Sequence, residues 1–169
     1  MKGIYLGAYK ANHPGKDIIY QDINGKRDIP GDMLEIDLTE YDYIIATPPC
    51  NYYSKARGNR CSEYSKKTKH LLPEILKKLA YGNKPFIVEN VRNYKKFKEL
   101  GLLELPCFIY IIGRHTYWTN IMMSIDIDQR QDFTQHGWVI KYDDMNNKDH
   151  QGGYNVHQVI ETWLKTINA

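Results

Sequence analysis

The chain has 169 residues, of which 42% are hydrophobic, and this supports one core and a single expected domain spanning 1–169. No apolar run approaches a membrane span and no signal-peptide pattern opens the sequence, so integration into a membrane and export are set aside and a cytoplasmic setting is expected. The formal net charge of +3 permits nucleic-acid binding without demanding it, and the three cysteines, Cys50, Cys61 and Cys107, lack metal-ligand spacing and read as free thiols in a reducing compartment.

Gly3-Ile4-Tyr5-Leu6-Gly7-Ala8-Tyr9 is a candidate first strand, and Lys10 to Gly15 reads as a turn. Asp17 to Ile23 reads as a second strand. Asp22 at its end is placed to accept hydrogen bonds from ribose hydroxyls, as acids of nucleotide-binding α/β folds do. The plainer alternative is a turn-forming Asp ahead of Asn24-Gly25. Ile29 to Met33 follows, and Leu34 to Leu38 alternates as a short strand or a helical turn.

Tyr41-Asp42-Tyr43-Ile44-Ile45-Ala46-Thr47-Pro48-Pro49-Cys50 organises the rest. Its β-branched run reads as a buried strand, and two prolines that cannot donate to a ladder stop it. A thiol at the carboxyl end of a central strand lies where open α/β sheets bind ligands, a position suited to a nucleophile. A small buried loop cysteine is the alternative. Residues 51–69 are the most basic part, carrying Lys55, Arg57, Arg60, Lys66, Lys67 and Lys69. The loop Arg57-Gly58-Asn59-Arg60 suits closure over a flipped base with contacts to phosphates; a solvated basic loop is the alternative.

Ser65 to Tyr81 is the clearest helix, with Leu71, Leu72, Ile75, Leu76 and Leu79 at helical spacing and Gly82-Asn83 as its stop. It is the crossover to a second apolar strand, Lys84 to Val91, which ends in Glu89-Asn90-Val91. A crossover of that kind makes the two strands parallel neighbours, so Cys50 and Glu89 meet by topology. A carboxylate at the end of an apolar strand is poorly solvated, and the expectation is that it holds a proton near neutrality; a turn-capping Glu is the alternative. Residues 92–105 read as a Lys-rich helix or turn stopped by Gly101. Cys107 to Ile112 is another strand, continued by Gly113 to Asn120. Trp138-Val139-Ile140 reads as an edge strand. Val156 to Ile167 is a final amphipathic helix with Asn155 as N-cap.

Pro49-Cys50 after one strand and Glu89-Asn90-Val91 after the next resemble the DNA cytosine-5 methyltransferases. Pro48-Pro49-Cys50 followed by Tyr53-Ser54-Lys55-Ala56 is similar to the short, phage-type members. The resemblance implies a Rossmann-like S-adenosylmethionine-dependent methyltransferase fold with a mainly parallel sheet. It implies Cys50 as nucleophile, Glu89 as the acid at cytosine N3 and Arg114 as the group holding the cytosine carbonyl. For the cofactor it implies Gly7 in the loop after the first strand, Asp22 on the ribose, Ile23 on the adenine face, and Asp32 with Met33 at the adenine amino group. The family has an Arg-x-Arg where this chain has Arg114-His115-Thr116, so the second arginine is missing or His115 stands in for it. The family's glycine-rich loop and helix after the first strand are reduced to Gly7, giving a shortened N-terminal region. No stretch is long enough for a target-recognition domain, which leaves recognition to a homo-oligomer or a partner protein.

The implied chemistry starts with a thiolate adding to cytosine C6, which makes C5 nucleophilic. A free thiol has a pKa of about 8.5, and Arg114 with the basic loop is expected to lower that of Cys50. The implied partner is DNA, with RNA as the alternative, in a bacterial or phage-infected cell. A catalytically inactive methyltransferase-like protein that binds nucleic acid or a partner is the competing reading.

Overall fold

The computed structural model describes residues 1–54, 62–124 and 155–169, with the backbone alone at 135–136 and 139–142. Three short apolar runs build one end of its sheet: β1 (Gly3–Leu6), β2 (Ile18–Tyr20) and β3 (Tyr43–Ala46). Their β-branched and aromatic side chains suit a pleated surface buried on both faces. β1 pairs in parallel with both others, Gly3 lying opposite Ile18 and Tyr43. β4 (Phe86–Val91) runs parallel to β3 on its other side, Ile44 opposite Phe86. The strands leading to Cys50 and Glu89 are therefore neighbours, as the crossover helix requires.

A tight hairpin follows. β5 (Phe108–Ile112) turns through Gly113-Arg114 into β6 (His115–Thr119), with Ile112 opposite His115 and Gly113 at φ +57°. β6 lies antiparallel against β4, Glu89 opposite Tyr117. With β7 (Gln135–His136) and β8 (Val139–Tyr142) the sheet order is β2-β1-β3-β4-β6-β5-β8-β7. The strand expected at Trp138–Ile140 is not an edge. β8 begins at Val139 and pairs with β5 on one side and β7 on the other.

The helix expected across Ser65–Tyr81 is two helices, α1 (Glu63–Thr68) and α2 (Leu71–Ala80). Pro73 explains the break. A proline has no N–H for the carbonyl four residues back, and its ring crowds that carbonyl. The carbonyl in question is that of Lys69, and it accepts instead from the hydroxyl of Tyr53. Between β1 and β2 no helix forms, matching the shortened N-terminal region. Leu34–Leu38 forms a turn rather than a strand.

Strand alternation sends side chains to both faces. On one face Ile4, Leu6, Ile44, Ala46, Phe86, Val88 and Trp118 pack with Leu72, Ile75, Leu76 and Leu79 of α2 and Phe97 of α3 (Tyr94–Glu99). On the other, Tyr5, Tyr43, Ile45, Ile87 and Tyr117 pack with Val159, Ile160, Trp163 and Leu164 of α4 (Val156–Ile167). Each apolar α4 side chain so buried contributes about 1.5–3 kcal/mol relative to exposure. Among the described residues the two buried indole N–H groups are both satisfied, Trp118 by the Leu102 carbonyl and Trp163 by the Thr119 hydroxyl, each at 2.9 Å. The N-cap expected at Asn155 forms, as a capping box with Gln158. No described helix is long and apolar enough to cross a membrane.

Candidate active site

The site lies at the carboxyl ends of β1, β3 and β4. Past Ala46 the chain cannot extend the ladder through Pro48 and Pro49, so it turns out of the sheet. Asn90, fully buried on β4, holds that departure. Its Nδ2 donates to the Pro48 carbonyl at 3.0 Å, and its Oδ1 accepts from the Val91 N–H at 3.0 Å. The Cys50 carbonyl then accepts from the N–H groups of Tyr53 and Ser54, closing a turn. Asn93, the N-cap of α3, donates its Nδ2 to the Tyr53 carbonyl at 2.8 Å. The turn that carries the thiol is thus held by two asparagines from the β4–α3 corner.

Cys50 is an exposed residue, yet enough protein surrounds its sulfur that desolvation pushes the thiol up from its ordinary value, and the charge of Glu89 adds to this. The expectation from sequence was the reverse. Arg114 explains part of the difference: it sits exposed at the tip of the β5–β6 hairpin, its carbonyl accepting from the Arg92 N–H at 2.7 Å. Lys55, Arg57 and Arg60, the candidate nucleic-acid contacts, lie outside the described residues, as does Cys61.

Glu89 is on the α4 side of the sheet with its side chain 13% exposed, and its Oε1 lies 2.6 Å from Nδ1 of His115. Diagonal placement across the β4–β6 pair makes this contact: Val91 is opposite His115 and Glu89 opposite Tyr117, all on one face. His115, rather than Arg114, is therefore the basic group that the hairpin brings to the carboxylate. With Glu89 ionised, the imidazole donates from Nδ1, which fixes the orientation of both groups.

A second group of residues surrounds the end of β1. Gly7 has φ +66°, and a Cβ there would lie 2.7 Å from the Thr47 carbonyl oxygen and 3.1 Å from the Met33 methyl. Only glycine leaves this backbone open to close approach. Its N–H donates to Gln21 Oε1 at 2.8 Å, and its carbonyl accepts from the Thr47 hydroxyl at 2.9 Å. Gln21 also donates from Nε2 to the Gly31 carbonyl at 2.5 Å, so one buried amide ties the Gly7 loop to the Gly31-Asp32 turn. Asp22, next in sequence, is 8% exposed, and its carboxylate accepts no hydrogen bond from the described residues. Its neighbour Ile23 is exposed. Asp32 Oδ1 accepts from the Leu34 N–H at 2.9 Å, so turn chemistry takes one of its carboxylate oxygens. Met33 is buried beneath Gly7. Tyr64 of α1 is exposed, yet partial burial raises its phenol pKa first, and the charges of Asp22 and Cys50 raise it further.

These residues fit S-adenosylmethionine. Gly7 offers a cradle that a side chain would fill, and Asp22 offers a carboxylate that accepts no hydrogen bond from the described residues, beside the exposed Ile23. Sequence reasoning assigned no role to Gln21, Thr47, Asn90, Asn93 or Tyr64. Asn90 had a signal, since it lies inside the Glu89-Asn90-Val91 motif; the others became visible only through their hydrogen bonds or surroundings.

Among solved structures the chain is similar to the Entamoeba histolytica methyltransferase EhMeth, at 17% identity and a TM-score of 0.43, over 76% of this chain and 55% of that one. It is also similar to an alanine-substituted mutant of Spodoptera frugiperda DNMT2, at 16% identity and a TM-score of 0.42, over 83% of this chain and 55% of that one. The chain thus spans little more than half the length of either. No curated protein matches it. The model of the C-5 cytosine-specific DNA methylases matches residues 5–105, which run from β1 past Cys50 and Glu89 to the end of the α3 corner, and the chain belongs to that family.

Proposed function

We propose that this chain is a DNA cytosine-5 methyltransferase that uses S-adenosylmethionine and works through a covalent adduct on Cys50. The observation that supports the reading is that the strand leading to Cys50 and the strand carrying the Glu89–His115 pair are adjacent and parallel, with the charge of Glu89 acting on the thiol. Gly7, Asp22, Ile23, Asp32 and Met33 would hold the cofactor, which supplies an electrophilic methyl group when bound. Cys50 Sγ adds to C6 of a cytosine turned out of its stack, and the electron pair moves toward C5. Glu89 holds a proton at N3, which stabilises the adduct as charge builds on the ring. His115 positions Glu89 through Nδ1, in the place of the family's second arginine. Once the C5 carbon is substituted, departure of its proton lets Sγ leave C6 and restores the thiol. Arg114, Lys55, Arg57 and Arg60 would meet the nucleic acid around the base, and the domain is read as a single unit over residues 1–169.

A second reading, a methyltransferase-like binding protein without activity, is supported by the raised Cys50 thiol, which leaves less thiolate at neutral pH. Trapping separates the two. DNA bearing 5-fluorocytosine should form a persistent adduct in the presence of S-adenosylmethionine, because fluorine at C5 cannot leave as a proton does. Cys50→Ser should abolish the adduct, whereas Cys61→Ser and Cys107→Ser should leave it intact. Glu89→Gln should slow it by about 10²-fold or more. An adduct that survives Cys50→Ser refutes the nucleophile assignment. Wild-type protein that binds DNA and never traps supports the binding reading.

A further inference from the structure

Away from the Cys50–Glu89 centre, three side chains with metal-ligating atoms converge where the β1–β2 connection meets α4. His157 and Glu161 stand four residues apart on α4, so they share one face and point the same way. His13 comes from the β1–β2 connection and is 2% exposed. Its Nδ1 lies 2.5 Å from Glu161 Oε1. Its ring stacks on that of His157 with centroids 4.6 Å apart and planes within 4°. One donor atom from each of the three residues lies within 4.8 Å of the other two, and no other such group occurs among the described residues.

We propose that His13, His157 and Glu161 bind one divalent transition-metal ion, zinc by preference, and that the ion ties the β1–β2 connection to α4. The donor set decides the class of ion. Two imidazoles and one carboxylate suit zinc, cobalt or nickel, whereas magnesium and calcium seek sets built from oxygen. Bonds of about 2.0–2.1 Å put tetrahedral ligands about 3.3 Å apart. The donor atoms lie within 4.8 Å of one another; ligation opens the 2.5 Å His13–Glu161 contact and turns the exposed His157 ring out of its parallel stack on His13, so that an in-plane nitrogen of each ring faces the ion. His157 is exposed, so water can complete the fourth position.

The position gives the site a purpose. Residues 7–17, between β1 and β2, form no helix. Two residues hold the connection: Arg27 donates to the Tyr9 and Ala11 carbonyls, and His13 donates its N–H to the Tyr20 hydroxyl at 2.7 Å, stacks its ring on Tyr5 at 5.9 Å and meets α4 with its imidazole. A metal bond at this point closes a loop of 148 residues in sequence separation, where cross-links constrain the unfolded chain most. The inference is independent of methyl transfer.

The test uses the full chain stripped of metal with a chelator. Zinc is titrated in calorimetrically, and cobalt is titrated while its visible absorption is followed. The expected result is one ion per chain with a dissociation constant of about 10 μM or tighter, a higher melting temperature with zinc, and a cobalt spectrum of nitrogen and oxygen ligation. His157→Ala, at an exposed position where folding is not at stake, should weaken zinc about tenfold or more and remove the thermal shift. Glu161→Gln should do the same, whereas His70→Ala on α2 should do neither. Failure to bind zinc below the millimolar range, or zinc affinity unchanged in both His157→Ala and Glu161→Gln, overturns the proposal.

Discussion

Asn90 ties the site together through one fully buried amide. Its amide spans the two strand ends, donating to the Pro48 carbonyl and accepting from the Val91 N–H. Asn90→Ala removes both bonds at a position with no solvent exposure, so water cannot replace them. Two net hydrogen bonds at about 1 kcal/mol each, plus the desolvation penalty of stranded backbone groups, amount to about 2–4 kcal/mol. For a chain of this size each kcal/mol moves the melting temperature by about 2–4 °C, so a fall of roughly 5–15 °C is expected. Asn90→Asp is the sharper probe. It keeps the acceptor for Val91 and turns an oxygen toward the Pro48 carbonyl, so it should cost as much as alanine despite its matching shape. Urea unfolding followed by circular dichroism gives both free energies. Losses under about 1 kcal/mol in both variants would refute the view that this amide holds the Cys50 turn in place.

Gly7→Ala places a side chain at φ +66° and 2.7 Å from the Thr47 carbonyl. The left-handed backbone alone costs about 1–2 kcal/mol, and calorimetry should also show weaker S-adenosylmethionine binding; unchanged binding would remove Gly7 from the cofactor cradle. Alkylation by iodoacetamide depends on thiolate, so Cys50, with its pKa pushed up, should react more slowly than a free thiol at pH 7 and speed up as pH rises. Glu89→Gln removes a charge that raises the thiol, so this variant should alkylate faster at pH 7 even as it traps more slowly, and an unchanged rate would show that Glu89 does not act on the sulfur. Cys107, buried and pushed up to about 12, should stay unlabelled until the protein unfolds.

The strands around Cys50 and Glu89 were legible because continuous β-branched runs have few other outcomes, and the helix between them made their parallel pairing a matter of topology. The α4 boundaries were legible through an apolar stripe and an N-cap signal. The break between α1 and α2 was also written in the sequence, at Pro73, but the leucine periodicity on either side masked it. His115 shows a different limit. Its contact with Glu89 depends on the hairpin register, which pairs Val91 with His115, and no local pattern encodes a diagonal across two strands. The direction of the Cys50 shift was misjudged because a count of nearby positive charges says nothing about desolvation or about the carboxylate facing the sulfur. His13 was read as part of a turn; its burial and its meeting with α4 depend on a contact between the two ends of the chain.

Pro73 and Tyr53 have a joint consequence. The proline leaves the Lys69 carbonyl without a helical donor, and the phenol supplies one. Neither residue is then interpretable by itself. Losing the hydroxyl strands a carbonyl while the proline remains. Restoring an N–H at position 73 creates a rival for that carbonyl and loosens the hold on the segment after Cys50. The two positions are expected to couple in a double-mutant cycle, the effect of each substitution depending on the other. Drift at one position is therefore conditional on the state of the other, and a proline in α2 constrains how the turn that carries the thiol can evolve.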